Sequence, residues 1–262
     1  MSQIEFYKYQ GTGNDFIMID NRQQQFPKND TKLIERLCDR KFGIGADGLI
    51  LLELSNLQDF TMIYYNADGN EGSMCGNGGR CIVAFAKQLG IIDKNTTFDA
   101  IDGLHEAHIT DDLVSLKMKN VTKIEDFSSH LFLDTGSPHH IAFVKNLDNF
   151  DVYGTGKKIR NGAPYFDKGT NVNFVEQKND TTFKVRTYER GVEDETLSCG
   201  TGVTAVAIAA HKANKTNDTT ISLETLGGTL EVSFDIDANS YKNVFLKGKA
   251  TKVFNGEFEI NA

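Results

Sequence analysis

Short runs of β-branched and aromatic residues, bounded by Gly, Asn or Asp, recur along this chain and predict many brief strands. They are Asp15–Asp20, Leu49–Glu53, Thr61–Tyr65, Leu113–Met118, His140–Val144, Asn171–Glu176, Phe183–Tyr188, Thr220–Leu223, Leu230–Phe234 and Val244–Lys247. Three stretches carry helical spacing instead. Thr31–Arg40 sets Leu33, Ile34, Leu37 and Cys38 on one stripe behind Asp30 as a cap. A second helix follows Cys75 to about Leu89, with Gly90 as its stop. A third follows Cys199 to about Ala213, with Asn214 in the stopping position.

The last two helices belong to an internal repeat. A shift of 124 residues lays Cys75 on Cys199, Gly76 on Gly200, Gly78 on Gly202, Gly90 on Asn214 and Gly103 on Gly227. With 24 glycines, chance coincidences of glycine are common. A shared order of cysteine, turn, helix stop and turn is less so. The repeat predicts an α/β chain of the α+β type with two similar, pseudo-symmetric domains. Each is a mostly antiparallel sheet wrapped around a central helix, with the site in the cleft between them. The expected boundaries are 1–122, rejoined by 252–262, and 123–251.

Composition narrows the class. The chain has 262 residues, 39% hydrophobic and 24% charged, which is enough to bury a real core. A net charge of -8 without any basic run argues against a nucleic-acid partner and fits a small-molecule one. No apolar run approaches the roughly 20 residues that span a bilayer, and no signal-peptide core is visible, so a cytoplasmic protein without a membrane partner is expected. In that reducing compartment Cys38, Cys75, Cys81 and Cys199 are expected as thiols. None forms a CxxC pair, and the six histidines form no HExxH, so no metal site is predicted. Cys38 and Cys81 read as core.

Cys75 and Cys199 read differently, because each stands before a Gly-x-Gly turn that opens a helix. The first N–H groups of a helix lack intrahelical partners and carry partial positive charge, so they bind carboxylate or phosphate. The same position favours thiolate over thiol. Each motif therefore offers an anion cradle beside an ionisable sulfur. Inverting a carbon centre needs a base on one face and an acid on the other, and two thiols can supply both. A single CGxG is a weak signal, more often structural than catalytic; two in a repeat are stronger. Neither GxxxxGK[ST] nor GxGxxG is present, which speaks against a nucleotide loop. On residues alone, a redox-sensing pair stays open.

The surrounding blocks resemble the diaminopimelate epimerase family. KYQGTGNDFIMIDN (Lys8–Asn21), RKFGIGADGLILLE (Arg40–Glu53), YYNADGNEGSMCGNGGRC (Tyr64–Cys81), GSPHHIAFV, GTNVNFV and YERGVEDETLSCGTGVTA (Tyr188–Ala205) follow in the family's order, and KGKATKVFNGEFEI is similar to its C-terminus. The resemblance implies an isomerase that interconverts LL- and meso-diaminopimelate, toward lysine and cell wall, without pyridoxal phosphate or metal. It implies Cys75 and Cys199 as the acid-base thiols. Asn14, Asn66, Asn171, Glu189 and Arg190 would bind the distal end of the substrate. Backbone N–H groups of Gly76, Asn77, Gly200 and Thr201 would face the reacting carboxylate, with His139 and Glu189 tuning thiol ionisation.

Each residue also has a plainer reading. The three asparagines lie beside turn formers and could cap turns. Glu189 and Arg190 could be a surface ion pair, and His139 could simply pack. Asp47 and Asp68 read as turn formers rather than catalytic acids. Three departures from the family stand out: Ser137 where Asn is frequent, Gly48 where some members carry a substrate-contacting Gln, and a loop at Val192–Glu195 one residue longer. A proline or hydroxyproline racemase is the near alternative, although that group tends to carry His where Asn77 stands. A non-catalytic amino-acid-binding redox switch is the alternative from another class. Oligomeric state is left open; a homodimer is allowed.

Overall fold

The structure is a computed structural model that describes residues 2–238 and 240–260. The chain divides into two compact units, Met1–Leu116 with Lys249–Ala262, and Lys117–Gly248. No helix among the described residues is long and apolar enough to cross a membrane.

In the first unit, Thr251–Ile260 pairs antiparallel with Ser2–Gly11, which pairs antiparallel with Asn14–Asp20. Asn14–Asp20 then runs parallel to Gly48–Glu53, which is antiparallel to Phe60–Asn66. Phe60–Asn66 is parallel to Asn95–Ala100, and Gly103–Thr110 and Leu113–Lys117 complete an antiparallel meander. The second unit repeats the pattern. Ile124–Asp126, Leu131–Asp134 and Pro138–Phe143 pair antiparallel in turn. Pro138–Phe143 is parallel to Asn171–Gln177, which is antiparallel to Thr182–Glu189. Thr182–Glu189 is parallel to Thr220–Thr225, and Gly228–Asp237 and Ser240–Lys249 complete the meander. The chain is therefore an α+β fold of two repeated units, each with two parallel pairings in a mostly antiparallel sheet.

A parallel pairing needs a crossover, usually a helix. The first unit supplies α1 (Thr31–Cys38) and α2 (Gly76–Gln88) at its two parallel pairings; the second supplies α3 (Val152–Asn161) and α4 (Gly200–Lys212). Helix α1 starts at the expected Asp30 cap, whose carboxylate accepts from Leu33 N at 3.0 Å. It stops at Cys38, two residues short of the expected end, because Asp39 turns to an extended conformation. Gly90 and Asn214 both adopt positive φ, 71° and 53°, just beyond the ends of α2 and α4. The next turn glycine is a correction: the partner of Gly103 (φ 117°) is Gly228 (φ 137°), not Gly227. Each opens the second strand of its hairpin, opposite Ala100 and Thr225 respectively.

Helix α3 is absent from the sequence reading. Gly154 and Gly156 lower its local propensity, yet each sits tight against a partner. A Cβ at Gly154 would collide with the Asp151 carboxylate that caps the helix, and one at Gly156 with Tyr188 Cβ. The cores form around the longer helices. In α2, Cys81, Ile82, Val83, Phe85 and Ala86 are fully buried, with Phe85 against the Tyr7 and Tyr9 rings at 5.1 and 5.9 Å. In α4 every residue from Val203 to Ala210 is fully buried. Cys38, as expected, lies in the apolar cluster of α1 with Ile17, Ile34, Leu37 and Leu49.

Gly156→Ala, which would stabilise an exposed helix, should here destabilise the fold by about 1–3 kcal/mol through overpacking on Tyr188. Urea denaturation of the two proteins checks the sign.

Candidate active site

Each unit presents one cysteine at the N-terminus of its central helix. In the first, Cys75 is the N-cap of α2 with extended backbone, φ -110° and ψ 151°, and its sulfur accepts from Gly78 N at 3.2 Å. The first intrahelical bond of α2 is made by Gly79 N to Cys75 O at 2.8 Å. The N–H groups of Gly76 and Asn77 thus precede the helical ladder. A Cβ at Gly78 would stand 3.3 Å from Cys75 Sγ, so glycine keeps the approach to the sulfur open. Asn14 Oδ1 lies 4.0 Å from Cys75 Sγ and 3.4 Å from Asn77 Nδ2.

The orientation of these amides is dictated from both ends. Asn14 Nδ2 donates to Asp47 Oδ2 at 2.5 Å, which turns Oδ1 toward the sulfur. Asn77 Oδ1 accepts from Arg80 Nη2 at 3.0 Å, which turns Nδ2 toward Asn14. Asp47 is itself held by Arg40 at 2.7 Å. Asp15 takes Arg40 and Lys8 at 2.7 Å each, and these cations hold its carboxyl down to about 2 against the cost of burial. Asp47, read from the sequence as a turn former, is thus the anchor of Asn14. Asp68 does form a turn, accepting from Asn70 N at 2.9 Å. Asn66 stands exposed at the start of that turn.

In the second unit Cys199 caps α4, whose first intrahelical bond is Val203 N to Cys199 O at 2.9 Å. Gly200 and Thr201 precede it, as Gly76 and Asn77 do in α2. Cys199 is 8% exposed, and its sulfur lies 3.4 Å from Thr201 Oγ1. Thr201 Oγ1 in turn lies 3.0 Å from His139 Nε2 and 3.1 Å from Ser137 Oγ. His139 is completely buried, and burial pushes it down to about 3, so it is neutral at pH 7. Its tautomer follows from Asn173. That amide must donate to the His140 carbonyl at 3.2 Å and accept from Thr187 at 3.0 Å, so Nδ2 also faces His139 Nδ1 at 3.0 Å. Nδ1 is therefore the acceptor and Nε2 carries the proton. The polar line Asn173, His139, Thr201 reaches Cys199 through a hydroxyl.

Ser137 is a node of this half: its hydroxyl also accepts from Asn171 Nδ2 at 3.1 Å and lies 3.1 Å from His139. Asn171 Oδ1 accepts Arg190 N at 2.9 Å, and Arg190 Nη1 reaches Lys168 O at 3.0 Å. Glu189 Oε2 accepts from Thr196 at 3.0 Å. The sequence reading missed Arg80, Asp47 as an anchor, Asn173 and the hydroxyl of Thr201. Asn173 lies two residues from Asn171 on one strand, so its side chain points to the same face; that spacing was the available signal.

The family model for diaminopimelate epimerase matches residues 6–124 and 131–253. A curated diaminopimelate epimerase from Flavobacterium psychrophilum is 60% identical over 252 residues, covering 96% of this chain and 98% of that one. The chain belongs to the diaminopimelate epimerase family. The enzyme of that name from Chlorobaculum tepidum is 44% identical, with 94% and 98% covered. Among solved structures, a Bacillus anthracis phenazine biosynthesis protein of the PhzF family matches with a TM-score of 0.78 at 15% identity, covering 99% and 100%. An Agrobacterium vitis hydroxyproline epimerase matches with a TM-score of 0.66 at 14% identity, covering 97% and 92%. These two share the fold.

Two departures from the family pattern acquire physical reasons. A Cβ at Gly48 would run into the Tyr64 ring and the Tyr65 carbonyl, so a longer side chain has no room there. The loop before Cys199 is taken up in a hairpin that pairs Glu189 with Asp194 and Thr187 with Thr196. Its Glu193, at φ 60°, is pinned by Arg160 at 2.8 Å and Gly191 N at 3.0 Å.

The buried histidines make the fold acid-sensitive. His139 and His140 both have folded values of about 3 against 6.5 unperturbed, so the unfolded chain takes up protons first as pH falls. Stability should decline from about pH 6.5 toward 3, by up to ~1.4 kcal/mol per pH unit for each histidine. Urea unfolding across that window should give a shallower slope for His139→Gln.

Proposed function

We propose that the protein interconverts LL- and meso-2,6-diaminopimelate by moving the proton of one α-carbon between the Cys75 and Cys199 thiols, with no pyridoxal phosphate or metal. The observation that carries the reading is the repeated Cys-Gly-x-Gly helix start, in a chain that belongs to this family. One sulfur, as thiolate, removes the α-proton from one face. The other, as thiol, delivers its proton to the opposite face, and the sulfurs leave the cycle with exchanged protonation.

The negative charge that develops at the α-carbon spreads into its carboxylate. In this reading the N–H groups of Gly76, Asn77, Gly200 and Thr201 receive it, with donors placed before the reaction begins. The distal end carries an ammonium and a carboxylate. Arg190 suits the carboxylate and Glu189 the ammonium, and Asn14, Asn66 and Asn171 supply amides of both polarities. His139 acts on Cys199 through Thr201, and Glu189 contributes a nearby charge. We place the reaction in the cytoplasm, on the route to lysine and cell-wall precursors.

Incubation with LL-diaminopimelate in deuterated water should yield the meso form with deuterium at one α-carbon. Cys75→Ser and Cys199→Ser should each lower the rate by at least about 10²–10⁴-fold. L-Proline under the same conditions should gain no deuterium. Proline exchange without diaminopimelate exchange would overturn the substrate assignment.

A further inference from the structure

Arg80, in the first turn of α2, is completely buried, and no carboxylate pairs with it among the described residues. Its Nη1 donates to the Gly76 carbonyl at 3.1 Å. Its Nη2 donates to Thr12 Oγ1 and to Asn77 Oδ1, each at 3.0 Å. Its Nε is buried with no hydrogen-bond partner. All its acceptors are neutral. A buried guanidinium stays charged, and a buried charge without a counter-charge is costly, so its retention calls for an anion nearby.

The cations tied to the Asn14 side of this half-site each have a carboxylate. Lys8 and Arg40 are matched by Asp15 and Asp47. Cys81 is fully buried, and burial pushes it up to about 12, so it stays a thiol. Among the described residues Arg80 has no such carboxylate. Burial pushes the Arg80 guanidinium down, the sulfurs of Cys81 and Cys75 act against that, and Cys75 alone of the two is not fully buried.

The contacts of Arg80 point the same way. Thr12 sits at φ 50°, followed by Gly13 at 86°, in a two-residue hairpin turn. A β-branched residue is strained there, where Asn or Gly is usual. Its hydroxyl is what meets Arg80. In the second unit, Thr204 stands at the repeat position of Arg80 and donates to the Gly200 carbonyl at 2.9 Å. Both halves therefore tie down the carbonyl of the first helical glycine from four residues on, one with a neutral hydroxyl and the other with a cation. The hydrogen-bonding role does not need the charge.

We propose that Arg80 is a positioning residue whose charge is matched by the Cys75 thiolate, so that Cys75 is the ionised sulfur of the resting enzyme and Cys199 the thiol. The inference rests on the two-thiol reading above and assigns its starting state. The proton that Cys75 gives up at rest goes to water, and the cation also holds Asn77 with its Nδ2 toward Asn14.

The test is alkylation with iodoacetamide across roughly pH 5–10, spanning the ordinary thiol range, read at each cysteine by peptide mass mapping. Midpoints are compared rather than plateau rates, since Cys199 is only 8% exposed. In the wild-type protein Cys75 should titrate at least about one pH unit below Cys199. Arg80→Gln keeps donors but removes the charge. It should raise the Cys75 midpoint by about one unit or more and leave that of Cys199 in place. Arg80→Lys should restore most of the difference. Equal midpoints in the wild type, or Cys199 the lower, would overturn the proposal without any variant. So would an unchanged Cys75 midpoint in a folded Arg80→Gln protein, with folding judged by its melting curve. These readouts need no turnover, so they can fail while deuterium exchange with diaminopimelate succeeds, and the reverse.

Discussion

Two parallel strand pairings in each unit are the constraint from which the half-sites follow. Neighbouring parallel strands cannot be joined by a tight turn, so the chain must leave the sheet and return through α2 or α4. Each helix is therefore buried along most of its length. Its first turn begins at a cysteine whose backbone is still extended. The first glycines of the two helices, Gly76 and Gly200, are buried as well, and there backbone donors precede the hydrogen-bonded ladder. A thiol at that place inherits a field that favours its ionised form.

The shared frame carries unlike furniture. Beside Cys75 stand amides held between an acid, Asp47, and a base, Arg80, so the amide dipoles run in one direction. Beside Cys199 stands a neutral line of Asn173, His139 and Thr201 that ends in a hydroxyl. Pseudo-symmetry in backbone with asymmetry in side chains suits a reaction whose two faces are chemically alike but whose substrate is not. The tight glycine positions differ for the same reason. Gly78 makes way beside Ile50 and the Cys75 sulfur, whereas Gly202 makes way for the Asn173 amide, 2.6 Å from where its Cβ would be.

The central helices and most strands were legible in the sequence because their signals are local: a cysteine before Gly-x-Gly, a stop at Gly90 or Asn214, a run such as LILLE. Other elements were hidden by residues that serve distant partners. Lys8 interrupts the apolar phase of Ser2–Gly11 because it is buried against Asp15. Asn255-Gly256 looks like a hairpin turn, yet lies inside a strand, where Gly256 leaves room for the Phe6 ring 3.0 Å from a would-be Cβ. Strands Asn95–Ala100 and Gly103–Thr110 are largely polar and half exposed. Helix α3 was masked by glycines that sit tight against Asp151 and Tyr188. Within the half-sites, the residues that flank each sulfur in its motif were readable and Asn14 was named through the family resemblance, whereas the Thr201 hydroxyl against the Cys199 sulfur was not. The anchors behind them, Asp47, Arg80 and Asn173, act through intervening side chains, and of the three only Asn173, two residues from Asn171, left a signal in the sequence.

The first unit borrows its outer strand from the far end of the chain, since Ser2–Gly11 lies between Asn14–Asp20 and Thr251–Ile260. During synthesis at roughly 5–20 residues per second, the early strand emerges on the order of 10–50 s before its late partner. Over that interval one row of its amide and carbonyl groups has no neighbour, and Lys117–Gly248 is itself complete only just before Thr251–Ile260 is made. The later-made unit is thus complete in sequence slightly before the first one is. The nascent chain must keep an open sheet edge out of contact with other nascent chains until its last strand arrives.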